Sequence, residues 1–100
     1  MNEDTIYIVV IVTAKEAYRQ EVLDALWKLI DPTREEEGNI SYNMHQDIKD
    51  PNTFVFYEHW KNQEAIDKHM EMPYLKAYAE ATQDKVEVWN IMELTRLTVD

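Results

Sequence analysis

Residues 54–78, FVFYEHWKNQEAIDKHMEMPYLKAY, decide how this chain is read. An apolar strand over 54–60 ends with Glu58 and Trp60, a short helix over Gln63–Met70 carries His69, and Pro73 opens a second helical piece over 74–82. Strand side chains alternate between faces, so Glu58 and Trp60 share one face. His69 lies about two helical turns beyond the strand end and is expected to fold back over that face. A large aromatic, a carboxylate and an imidazole around one apolar cavity would bind and deprotonate a small aromatic molecule.

Upstream, Asn39–Gln46 alternates Ile40, Tyr42 and Met44 with Ser41, Asn43 and His45, and Asp50-Pro51-Asn52 reads as a turn. The two strands therefore form a hairpin. Residues 6–13 are a β-branched run, as for a strand buried on both sides. From 15 to about 37, Tyr18, Val22, Leu26, Leu29 and Ile30 recur at helical spacing. Pro32 should kink that helix or end its regular part, and Gly38 reads as a stop. Residues 86–98 read as a long final strand, with Val86, Val88, Asn90, Met92 and Leu94 on one face and Glu87, Trp89, Ile91, Glu93 and Thr95 on the other.

The order β-α-β-β-α-β predicts an α+β, ferredoxin-like domain over residues 1–100, with helices on one face of an antiparallel sheet. The first strand is apolar on both faces, and Val55, Tyr57, Trp89 and Ile91 are read as opposite the helices. An apolar surface of that size marks an interface, and a twofold homodimer packed through the sheet face would cover it. The final strand is long enough to reach the partner.

Composition narrows the partners. With 20 Asp+Glu against 10 Lys+Arg, the formal charge of −10 leaves no basic stripe for nucleic acid and disfavours an anionic membrane surface. There is no Cys, which removes disulfides, thiol nucleophiles and cysteine metal sites. The start, MNEDTIYIVVIV, puts acids before a short apolar run, the reverse of a signal peptide and too short to span a bilayer. The expected compartment is the cytoplasm.

The chain resembles the antibiotic biosynthesis monooxygenase superfamily, the dimeric α+β barrels. The carriers are the first strand, Pro32-Thr33-Arg34-Glu35-Glu36-Glu37-Gly38, Tyr42, Asp47 with Asp50-Pro51, Phe54-Val55-Phe56-Tyr57-Glu58 with Trp60, and His69 followed by Pro73. The segments 69–81 and 86–94, including Asn90-Ile91, look most like the bacterial quinol monooxygenases of the group. The resemblance implies oxidation of a quinol or small polyphenol by dioxygen, with no cofactor and no metal. Within it, His69 is the preferred base and Trp60 stacks on the substrate ring, its indole N–H free for an oxygen. Phe56 and Asn90 line the pocket, Glu58 stands beside it, and Tyr74, Tyr78 and Asn90 supply hydrogen bonds. Two branches fit less well. Polyketide quinone-forming members carry an Asn where this chain has Phe56, and the Asn, Trp and His of haem-degrading members are not matched by the first strand, His69 and the region of Ala79.

Plainer readings stand beside these. His69 also reads as a surface helix residue or a core histidine satisfied by a carbonyl, and Trp60 as core. Glu58 reads as a structural carboxylate with Lys61 or Arg34 as partner. His45, His59 and His69 lack the spacing of a local metal motif, and residues 34–37 read as a solvated helix end. The same fold also serves isomerases of a small phosphorylated quorum signal, which would need a cationic pocket built from Lys61, Lys76 or Arg34, and non-catalytic ligand-binding dimers.

Overall fold

The computed structural model describes residues 5–98; the acidic lead with Glu3 and Asp4 lies outside them. Strand β1 (Ile6–Ala14) is followed by a 3₁₀ turn (Glu16–Tyr18) and helix α1 (Arg19–Arg34). Strands β2 (Asn39–Gln46) and β3 (Thr53–Trp60) form the hairpin, then come α2 (Gln63–Met70), α3 (Pro73–Thr82) and β4 (Val86–Leu94). All pairings are antiparallel in the order β2-β3-β1-β4, so the apolar β1 occupies a central position and the ferredoxin-like α+β arrangement is realised.

Each helix begins and ends for a local reason. Lys15 is extended, so the expected long helix opens only after the 3₁₀ turn. Helix α1 runs through Pro32 to Arg34 and turns Val22, Leu26, Leu29, Ile30 and Thr33 inward. Asn62 caps α2, its Oδ1 accepting the Ala65 N–H at 2.9 Å. Pro73 opens α3 at a position where its missing N–H costs nothing. Gly38 is not a left-handed helix stop, because no glycine has positive φ among the described residues. It answers a steric demand: a Cβ there would lie 2.2 Å from Ala65 Cβ. The turn after α1 is thus pressed against α2.

The core lies between the helices and one sheet face. Ile8, Val10, Val12 and Ala14 of β1 and Phe54, Phe56, Glu58 and Trp60 of β3 point into it. Two face assignments change. Trp89 and Ile91 pair with Val12 and Val10, which places them on the helix side, whereas Asn90 pairs with Ile11 on the open side. Ile40 is half exposed, because β2 shifts register against β3 between Asn39 and Ser41 and skips it. The final strand also stops at Leu94, with residues 95–98 outside it. The open face still carries Val9, Ile11, Val55, Tyr57, Val88 and Met92.

Candidate active site

Where α1 ends, its inward stripe continues one step further than the helix itself. Val22, Leu26, Leu29 and Thr33 are buried, and Glu36 extends their four-three spacing into the turn. The Glu36 side chain is only 8% exposed and meets the His69 side chain, 5% exposed, on α2. Glu36 Oε2 accepts from His69 Nδ1 at 2.7 Å and from the Tyr74 hydroxyl at the start of α3. A carboxylate only accepts, so Nδ1 carries the proton in this pair and Nε2 is left for a ligand. Burial, followed by the hydrogen bond to Glu36 and its charge, pushes the Tyr74 phenol up and keeps it a donor.

The second half of the site comes from β3. Glu58 and Trp60 point to the same face, and the Trp60 indole N–H donates to Glu58 Oε1 at 2.8 Å. Burial pushes the Glu58 carboxyl up to about 7; the Trp60 hydrogen bond pulls it back and the charge of Glu36 pushes it further. Glu58 is therefore poised between its two protonation states near neutrality. Burial and the Glu58 charge hold the Tyr42 phenol well above its ordinary range. The aromatic rings pack around the imidazole, with Trp60 at 4.6 Å between centroids and Tyr42 edge-on at 5.9 Å.

Tyr42, Glu58 and His69 border a cavity of about 90 Å³ between sheet and helices. Its apolar wall includes Ile8, Val10, Leu26, Leu29, Phe56 and Ile66; its polar groups are Tyr42, Glu58, His69 and Glu93. Among the described residues, no Lys or Arg lines it. Through Met70, Leu75 and Trp89 it adjoins an open groove of about 440 Å³ between α3 and β4.

The structure brings together Phe56, Glu58 and His69 on the cavity. Trp60 is fully buried behind the imidazole and its N–H is committed to Glu58, so it is not free for a ligand oxygen. Tyr74 addresses Glu36 and not the cavity. Tyr78 lies in the neighbouring groove, 5.6 Å from the Trp89 ring. Asn90 sits on the far side of the sheet, because the β1–β4 register puts it opposite Ile11. Arg34 does not reach Glu58: it ties α1 to β2 through the Tyr42 carbonyl at 3.1 Å and Asn43 Oδ1 at 2.9 Å. His45 bonds the Val55 carbonyl and His59 stacks on Tyr7 at 4.0 Å, both on the open face and away from His69.

A family model described as antibiotic biosynthesis monooxygenase matches residues 5–81. The uncharacterized protein sll1783 of Synechocystis sp. (strain ATCC 27184 / PCC 6803 / Kazusa) is 29% identical over 101 residues, covering 95% of this chain and 69% of that protein. The "Probable quinol monooxygenase YgiN" of Escherichia coli (strain K12) is 30% identical over 82 residues, covering 74% of this chain and 79% of YgiN. The crystal structure of PA3566 from Pseudomonas aeruginosa superposes with a TM-score of 0.92 at 22% identity, covering 98% of this chain and 99% of that one, a likeness of fold.

Proposed function

Since the chain belongs to the antibiotic biosynthesis monooxygenase family, we propose that it is a cofactor-independent monooxygenase of quinols or related small phenols. The observation that carries this reading is the buried Glu36–His69 pair beside an apolar cavity. Dioxygen in its ground state accepts electrons singly, so the substrate must first become an electron-rich anion. His69 Nε2 takes the hydroxyl proton, while Glu36 fixes the tautomer and stabilises the imidazolium that results. The apolar walls exclude water from the anion.

The remaining steps balance without another reagent. The anion passes one electron to dioxygen, and the radical pair joins through a new carbon–oxygen bond, giving a ring peroxide. Loss of the ring proton breaks the O–O bond, and hydroxide leaves with that proton as water. The substrate loses four electrons in all; one oxygen atom enters the ring as a carbonyl and the other becomes water. Glu58, close to its midpoint at neutral pH, is the group suited to pass a proton to the peroxide and recover one later.

A phosphorylated ligand is a poorer match, because the cavity presents carboxylates and no cation. The apolar open face of the sheet supports a homodimer packed through it. Oxygen uptake with a panel of hydroquinones tests the activity. His69→Ala should lower turnover by about 10²–10⁴, as for loss of a general base, with the fold retained by circular dichroism. Equal uptake by wild type and His69→Ala would remove His69 from the chemistry.

A further inference from the structure

The inner cavity, at about 90 Å³, is small, whereas substrate pockets are commonly ~300–1,000 Å³. The missing volume lies next door. Met70, Leu75 and Trp89 are walls shared by the cavity and the α3–β4 groove of about 440 Å³, and Met70 and Trp89 are 43% and 44% exposed. Beyond them the groove is floored by Tyr78, Ala79 and Val86. Its two charged lining residues, Lys76 and Glu87, are of opposite sign, so the groove favours neither anion nor cation. The Tyr78 ring packs against Trp89.

We propose that the groove is a second subsite, holding an uncharged apolar side chain on the substrate while the reacting ring enters the cavity past Met70 and Trp89. This rests on the quinol reading above and narrows it to alkyl- or alkenyl-substituted rings. The groove is open along one side, so each methylene laid in it is about half desolvated. Half of the full burial value corresponds to about a twofold gain in binding per methylene.

The test is a series of hydroquinones with unbranched side chains of increasing length, assayed by oxygen uptake. In the wild type, KM should fall by about twofold per added methylene until the groove is filled. Ala79 is exposed and lines the groove but not the inner cavity, so Ala79→Trp should fold while filling the groove. In that variant KM should no longer depend on chain length. A KM independent of chain length in the wild type, or an undiminished dependence in Ala79→Trp, overturns the subsite. If no quinol is turned over, the function reading fails separately. The subsite is then judged by anaerobic tryptophan-fluorescence titration with the corresponding alkyl quinones, where affinity independent of chain length or unaffected by Ala79→Trp overturns it.

Discussion

Replacing Glu58 by Gln alters the charge of the cavity without emptying it, and its effect on stability has a definite pH dependence. Gln retains the shape and an oxygen for the Trp60 N–H but cannot ionise. The fold holds the Glu58 proton up to about pH 7, whereas the unfolded chain releases it near 4.5. Stability from this group is therefore complete below about pH 4.5 and is lost as pH rises through 7; above that both states are ionised and the loss levels off. A displacement from 4.5 to about 7, at ~1.36 kcal/mol per unit, amounts to about 3 kcal/mol. The advantage of Glu58→Gln over the wild type should grow by that amount between pH 4.5 and 8. Urea unfolding at one fixed protein concentration, followed by tryptophan fluorescence, measures the difference. Groups common to both proteins largely cancel, and any constant offset from the new amide is separated from the slope. A difference that stays flat across this window would show that Glu58 does not hold its proton in the fold.

Other perturbations reach different parts of the structure. Glu36→Gln removes the charge that helps lift Glu58, so the Glu58 titration, followed by carboxyl NMR shifts, should move below its wild-type position; an unmoved titration contradicts the coupling. Gly38→Ala forces a methyl onto Ala65 and should cost about 1–3 kcal/mol, as overpacking does. Thermal melts should show recovery in Gly38→Ala/Ala65→Gly, and no recovery would place the strain elsewhere. If the proposed homodimer packs through the open sheet face, Tyr57→Lys, which puts a charge at a residue 46% exposed in the single chain, should shift sedimentation in analytical ultracentrifugation toward the monomer. An unchanged sedimentation profile would direct the dimer to another surface.

The elements were legible because their signals are local. Asn39–Gln46 and Gln63–Met70 match the observed bounds, and Pro73 opens α3 as its chemistry dictates. Strand faces in β4 were not, because its alternation is apolar on both sides and only the pairing of Val12 with Trp89 and of Val10 with Ile91 decides which side faces the helices. That pairing sends Asn90 away from the cavity. Glu36 was hidden among three consecutive glutamates, which together look solvated. Its one distinguishing signal is its place in the four-three stripe after Val22, Leu26, Leu29 and Thr33, and the apolar members of that stripe end at Ile30, before Glu36 is reached. The commitment of the Trp60 N–H to Glu58 follows from side-chain geometry, which alternation along a strand does not reveal.

The polar side chains gathered around His69 divide at the hairpin turn: Glu36 and Tyr42 precede it, and Glu58, His69 and Tyr74 follow. A recombination crossover near Asp50 would draw the acceptor and the imidazole from different parents, and each strand pair of the sheet would join the two parents as well. Chimeras of this chain with its relatives should then inherit the Glu36–His69 contact only when both parents supply it, and their stability should report how well the interleaved strands of the two parents fit.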